Sequence, residues 1–464
     1  MKQLSILIMT IFFMGCAAVG PDYTPIRPDA PDRWHSPLKS GLSMKAPDQK
    51  MLDSWWTILD DPILIRLEEQ AVKGNLDLKD ALARVKEARA ARGIEKADLY
   101  PHLDVDGSVA RQREIKDTQY SFGLDSSWEI DIFGGIRRSV EAAQAELEAA
   151  QAELQDILVT LTADVALNYM DVRTYQARLA AVYSNIKAQE EIYRLNRSRY
   201  EAGLIDELAV QQSLYTLEQT RSQIPVLQRG CDAAMNRIAV LLGLQPGSIH
   251  RELKELRPVP SPPWSVAIGI PADALRRRPD VRKAERELAA ATARIGEAKA
   301  ELYPKFDLLG TIGLEAVGSK DLWDWASRTW KIDQGITWKI FHAGAIRQNI
   351  KVQTARQEQA LIQYQDTVLN ALEEVENAIV AYTKEFRRMD SLKKAVKAAG
   401  TALDLAKSKY RAGLVDFSDV MDAERSLQGL QDELASSQGE SMSDLIRLYK
   451  ALGGGWVCSK DLVH

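Results

Sequence analysis

A chain of 464 residues with 27% charged residues and a formal net charge of −5 offers no basic footprint for a nucleic acid. Aromatic residues make up only 7%, and Ala, Glu, Gln, Leu, Lys and Arg dominate, the composition of long helices. Three cysteines, Cys16, Cys231 and Cys458, do not make a disulfide framework.

The first fifteen residues read as an export signal. Lys2 precedes an apolar run from Leu4 to Phe13 broken only by Ser5 and Thr10, too short for a comfortable membrane span. The run ends in Phe13-Met14-Gly15-Cys16, which resembles a bacterial lipoprotein box with Phe13 where Leu is usual. Cys16 is then the expected acylated N-terminus of the mature chain; a bystander cysteine after an ordinary signal peptide is the alternative. Residues 16–54 read as an extended, Pro-rich arm. No other stretch approaches an 18-residue apolar span, so no helix is expected to cross a membrane.

A first repeat is expected over residues 55–247. Trp55-Trp56 opens it, and Asp61 caps a helix whose first position is Pro62. A second helical pattern runs from Leu76 through Leu82, Val85 and Ala88 towards Tyr100-Pro101. After Pro101 the period falls to two. Leu103, Val105, Gly107 and Val109, then Tyr120, Phe122, Leu124, Ser126, Trp128, Ile130 and Ile132, alternate with polar or small residues. This predicts a β-hairpin over 102–133 with the signature of membrane-barrel strands. From Gly134 the residues Val140, Ala143, Leu147, Ala150, Leu154, Ile157 and Leu161 recur in steps of three and four, a heptad seam. No Pro interrupts Gly135 to Asn196, so the helix should be about 90 Å long. It reverses at Tyr200-Glu-Ala-Gly-Leu204, and one helix is expected to return to Leu242, closing a coiled-coil hairpin over 134–243.

Residues 271–456 repeat this order. Arg278-Pro279-Asp280-Val281 stands where Asn75-Leu76-Asp77-Leu78 stood, 203 residues earlier. Strand patterns at Phe306–Leu314 and Trp330–Ile340 predict a hairpin over 305–341, with Val317 to Trp330 as its loop. A second seam, Val368, Leu372, Val375, Ile379, Tyr382, Phe386 and Met389, leads to the turn Tyr410-Arg-Ala-Gly-Leu414. The helix returning from it carries Val420, Ala423, Leu427, Leu430 and Leu434, giving a hairpin over 343–452. Tyr200 and Tyr410, Gly203 and Gly413, and Gly243 and Gly453 are each 210 residues apart, so the chain reads as an internal duplication. Residues 248–270, with Pro258, Pro260, Pro262 and Pro263, read as a linker or belt, and 457–464 as a tail.

Four strands cannot enclose a lumen, and an open sheet edge in lipid leaves backbone groups unpaired at several kcal/mol each. Two chains would give eight strands, a barrel filled by its own side chains; three give twelve, and twelve long helices to continue the wall. The expected fold is mostly α with a transmembrane β portion: a trimeric twelve-stranded β-barrel continued by a twelve-helix periplasmic α-barrel, with two internal repeats per chain.

The chain resembles TolC-type outer-membrane efflux proteins, in the lipoprotein branch similar to OprM and the NodT group. The resemblance is carried by Cys16 with Gly20-Pro21-Asp22-Tyr23, Trp55-Trp56 with Asp61-Pro62, and Asn75-Leu76-Asp77-Leu78 running into Ala83-Arg84-Val85. Arg277-Arg278-Pro279-Asp280-Val281, the paired Tyr-x-Ala-Gly turns and Leu452-Gly453-Gly454-Gly455-Trp456 complete an ordered set that spans nearly the whole chain. It implies a homotrimer in outer-membrane lipid that passively conducts drugs, solvents or metal ions out of the periplasm. Its implied partners are a periplasmic adaptor (membrane fusion) protein and an inner-membrane transporter of the RND type.

The resemblance also assigns residues. Tyr200, Gly203, Leu204, Tyr410, Gly413 and Leu414 would form the tips that meet the adaptor; on their own terms Gly203 and Gly413 are turn chemistry. Asp416, Asp419, Asp422 and Arg425 follow the second turn. Asp419, Asp422 and Arg425 stand at three-residue steps, so they share a helix face. By resemblance, Asp419 and Asp422 would form carboxylate rings at a periplasmic aperture and Arg425 would join the closing network. Threefold symmetry would then favour cations; a solvated helix face is the plainer reading. Trp323, Trp325, Trp330 and Trp338 fit an interfacial aromatic girdle, and Cys231 a small buried apolar residue.

No catalytic residue, metal ligand or cofactor is expected. His35, His102, His250, His342 and His464 are scattered, and no phosphate loop, nucleophile elbow or dinucleotide fingerprint is present. Two rivals remain: a type I protein secretion duct, and a periplasmic coiled-coil structural lipoprotein without a pore. The two period-2 hairpins speak against the second, because a spacer needs no strands.

Overall fold

Pro, Gly and the switch between a period of 3.6 and a period of 2 set the order of elements. The computed structural model describes residues 18–26, 28, 30–46, 48–111, 118–260 and 265–456. The export signal, Cys16, Cys458 and the tail lie outside them. The chain runs β1 (Leu42–Ser43), α1 (Gln49–Asp53), α2 (Pro62–Gly74), α3 (Leu76–Ala97), β2 (His102–Arg111) and β3 (Thr118–Ile130). It continues through α4 (Gly135–Glu201), α5 (Glu207–Arg221), α6 (Gln223–Leu241), α7 (His250–Leu253), β4 (Val266–Ala267) and α8 (Pro271–Arg277). It closes with α9 (Pro279–Ala300), β5 (Lys305–Val317), β6 (Arg328–Thr337), α10 (Ala345–Arg411) and α11 (Phe417–Ala451). Helix accounts for 67% of the described residues. Helices α4 and α10 each hold 67 residues, about 100 Å of helix apiece, and α3 and α9 each hold 22.

Two sequence expectations need correction. The helix returning from the first turn is divided at Ser222, whereas α11 is continuous over 35 residues. Pro225 has no N–H, and its ring crowds the carbonyl four residues back, so the chain restarts a helix with Pro225 in its first turn. Strand β6 spans Arg328–Thr337, so it begins at Arg328, two residues before the expected start at Trp330, while Trp338 and Ile340 lie beyond the strand.

The chain divides into two compact units. The first comprises Met1–Arg27, Leu82–Glu153 and Asp280–Thr367. Its centre is an antiparallel sheet of order β2-β3-β5-β6, in which β3 and β5 pair across the two hairpins. The arm lies against this unit: Val19 N–H donates to Phe133 O (2.9 Å). Arg138 donates to Val19 O (3.2 Å), Asp22 (2.6 Å) and Glu141 (2.6 Å). Gly20 passes so close to Gly296 that a Cβ there would lie 2.4 Å from the Gly296 Cα.

The second unit comprises Pro28–Ala81, Leu154–Pro279 and Val368–His464. Trp55 stacks on Tyr449 (5.6 Å between ring centroids). The Asp61 carboxylate caps α2 through the N–H groups of Ile63 and Leu64 and accepts from Tyr169, which in turn accepts from Arg173. Asn75 Nδ2 donates to Leu241 O (2.9 Å) and Arg278 Nη1 to Ala451 O (2.8 Å). These two motif residues each hold the carbonyl end of a returning helix, where backbone acceptors lack helical partners. A short parallel pair, β1 with β4, ties Leu42–Ser43 to Val266–Ala267.

Candidate functional site

The sheet has two chemically different faces. Its register places Leu103, Val105, Gly107 and Val109 of β2 opposite Ser126, Leu124, Phe122 and Tyr120 of β3. Those lie opposite Gly310, Ile312, Leu314 and Ala316 of β5. Phe306, Gly310 and Ile312 in turn face Ile336, Ile332 and Trp330 of β6. One face is therefore apolar across all four strands, and much of it is exposed, including Val105, Ile312, Ile332 and Ile336. The other face carries Asp104, Asp106, Asp125, Glu129, Asp307 and Asp333, with Asp104 directly opposite Asp125 and Glu129 opposite Asp307. At the end where the helices enter, Trp128 and Trp338 donate their indole N–H to Leu99 O (3.1 Å) and Leu302 O (3.0 Å). Among the described residues no helix is long and apolar enough to cross a membrane.

The hairpin ends occupy the second unit. Gly203 N–H donates to Tyr200 O and Leu204 N–H to Arg199 O; Gly413 and Leu414 make the same pair of bonds to Tyr410 O and Lys409 O. Both turns are Schellman caps, with φ of 72° at Gly203 and 73° at Gly413. Leu204 and Leu414 project outward, 72% and 74% exposed. The tyrosines differ. Tyr200 is exposed, whereas Tyr410 packs on Phe417 (5.4 Å), lies under Arg199 (5.2 Å) and donates to Asn196 Oδ1 (3.3 Å).

Asp416, Asp419, Asp422 and Arg425 all lie on the exposed side of the first turns of α11, opposite the buried Phe417, Val420 and Met421. Arg425 pairs with Asp422 at 3.3 Å. Asp206, the counterpart of Asp416, caps α5 through its side chain, but Asp416 makes no such bond. Its carboxylate is left uncommitted.

Sequence reading missed the buried carboxyls, Glu424 and Glu68 among them. Glu424 lies one turn beyond Val420 on the packed side of α11, and burial pushes its carboxyl up against the opposing pull of Lys407. Glu68, only 1% exposed, sits among Leu64, Leu67 and Ala71 of α2, with neither carboxyl oxygen hydrogen-bonded. Burial pushes it well above the usual glutamate range. An acid on the apolar stripe of a helix was the available signal. Among the described residues no cluster of His, Cys, Asp and Glu could hold a metal ion.

A chain of known relatives matches this architecture. Residues 67–244 and 270–454 match the family model described as outer membrane efflux protein. Nodulation protein T of Rhizobium leguminosarum bv. trifolii is 32% identical over 456 residues, covering 96% of each chain. The pyoverdine export outer membrane protein OpmQ of Pseudomonas putida is 30% identical over 472 residues, covering 98% of each. Among solved structures, the outer-membrane channel OprN superposes with a TM-score of 0.88 at 36% identity, over 95% of this chain and all of that one. The chain belongs to the outer membrane efflux protein family.

Proposed function

We propose that this chain is one third of the exit duct of a tripartite efflux pump, passing small molecules from the periplasm to the exterior with no catalytic step of its own. The observation that carries the reading is the sheet. A face that is apolar over four strands belongs against lipid, yet β2 and β6 end the sheet with unpaired edges, which lipid does not tolerate. Three copies close it as twelve strands with the acidic face inward, and α4, α10 and the helices returning from the turns continue the wall. The matching lengths of α4 with α10 and α3 with α9 support two repeats, 55–247 and 271–456, joined by a belt at 248–270. Export of pyoverdine by a relative favours small-molecule cargo over protein.

The exposed tips at Tyr200–Leu204 and Tyr410–Leu414 are the surfaces for a periplasmic adaptor, and through it an RND-type transporter. Asp416, Asp419 and Asp422 line the aperture with Arg425. Acylation at Cys16 fits the arm, since Val19, three residues on, is fastened to Phe133 just past β3. Light scattering of the detergent-purified protein, corrected for detergent, should give the mass of three chains; a stable monomer would overturn the duct. In planar bilayers, Asp419→Ala with Asp422→Ala should raise conductance and weaken cation preference, and unchanged values would remove the aperture assignment.

A further inference from the structure

The end of the sheet remote from the helices carries chemistry that conduction does not use. In the sheet unit, α3 and α9 lead into the strands and α4 and α10 leave them at one end, marked by His102, Ile130, Lys305 and Thr337. The connections Arg111 to Thr118 and Val317 to Arg328 mark the other end. With the helices in the periplasm, that other end faces outward; the inference below rests on this membrane reading.

At the outer end the apolar face stops being aliphatic. Trp330 lies beside Ile312, Arg328 beside Leu314, and β2 ends on the same face with Arg111 opposite Thr118. The Arg328 guanidinium is 3.4 Å from the centroid of the Trp325 ring, and Trp323 packs on Phe122 at 6.2 Å. Trp323, Trp325 and Trp330 are 73%, 77% and 74% exposed. The cations elsewhere on the sheet are committed: Lys305 and Lys339 to Glu301, and Lys331 on the polar face to Asp333. Arg111 and Arg328 have no ion-pair partner among the described residues.

A guanidinium laid flat on an indole keeps its N–H groups free, and its planar fork matches phosphate oxygens in pairs. Exposed Trp rings at the margin of an apolar band sit at headgroup level and offer flat apolar faces to sugar rings. Asp321 and Asp324 in the same connection offset Lys320 and Arg328 in formal charge. Bulk attraction is therefore weak, and recognition falls to the stacked Arg328–Trp325 pair. We propose that Arg328, Trp325, Trp323 and Trp330 form a docking surface for the phosphorylated sugar headgroup of an outer-leaflet glycolipid.

The test is native mass spectrometry of the detergent-purified protein titrated with a bisphosphorylated, acylated glucosamine disaccharide. The wild type should hold this lipid, and Arg328→Ala and Trp325→Ala should each weaken it about tenfold. Arg328→Lys should recover only part, because it restores charge without the stack. Equal binding of the dephosphorylated glycolipid, equal binding of phosphatidylglycerol, or no loss in the variants would each overturn the proposal. Conductance of the same variants should equal that of the wild type. A wild type that neither assembles nor conducts would instead overturn the duct reading.

Discussion

The helices that begin after Gly134 and Gly344 have the same length and the same start, with φ of 80° and 83° at the two glycines. They are nevertheless treated differently. The first turns of α4 are covered by the arm: a Cβ on Gly134 would lie 2.4 Å from the Ala18 Cβ, and Arg138 is buried. The same Cβ on Gly344 meets nothing within 4 Å, and the first buried side chain of α10 is Tyr364. The helices returning from the two turns differ as well, one broken at Ser222 and the other continuous, and so do Tyr200 and Tyr410. Equal backbone geometry at the two turns comes with equal turn residues. The differences come from what each helix is packed against, and the asymmetric positions are the ones with a partner to hold.

Glycine substitutions give the largest contrast. A Cβ at Gly74 would lie 2.0 Å from Leu242 O, and one at Gly243 lies 2.3 Å from Gly74 O, both immovable backbone atoms. Gly74→Leu should cost more than about 4 kcal/mol and yield little folded protein. Gly203→Ala, with open space around it, should cost only the left-handed strain of about 1 kcal/mol. Thermal unfolding in detergent reads both, and similar losses would mean that the turn is packed.

Glu68 comes next. Its folded-state affinity for the proton exceeds that of the unfolded chain, so its stabilising effect is complete below the usual glutamate range and is lost as pH rises through the raised value. The unfolding temperature should fall, relative to Glu68→Gln, as pH rises above the usual glutamate range, and in Glu68→Gln that dependence should be flattened. Position 271, 203 residues on, is a proline, so no matching carboxyl stands there. A parallel pH profile for wild type and Glu68→Gln would show that Glu68 is not buried neutral.

Arg138→Ala should cost about 2 kcal/mol, discounted because Asp22 is largely solvated, and should expose the arm to protease. Gln348→Ala, 210 residues later on a bare helix face, should change stability by no more than about 0.5 kcal/mol. The smallest pair is Tyr410→Ala, at about 1.5 kcal/mol for the lost stacking and cation–π contact, against near zero for Tyr200→Ala. Hydrogen exchange in the two turns separates them. Equal protection loss would erase the asymmetry between the tips.

Much of this protein was written in local pattern. Period 2 against period 3.5 distinguished the strands of 102–130 and 305–337 from the helices that follow them, because a pleat and a helix present different faces. Gly203, Gly413, Gly243 and Gly453 placed the helix ends, since a Schellman cap needs positive φ. Pro225 was a local signal for the break at Ser222 that the expectation of one returning helix passed over. Tertiary structure alone decided the rest. Pairing of β3 with β5 joins strands nearly two hundred residues apart in sequence and has no local signature. Tyr200 and Tyr410 share the motif Tyr-x-Ala-Gly-Leu, so only Asn196, Arg199 and Phe417, brought in by packing, could make one exposed and the other held. The burial of Glu68 and Glu424, and the matched bonds of Asn75 and Arg278 to helix ends far along the chain, depend on which surfaces meet. Local sequence specifies dihedrals and faces; which face meets which partner is settled by the desolvation of the assembled chain.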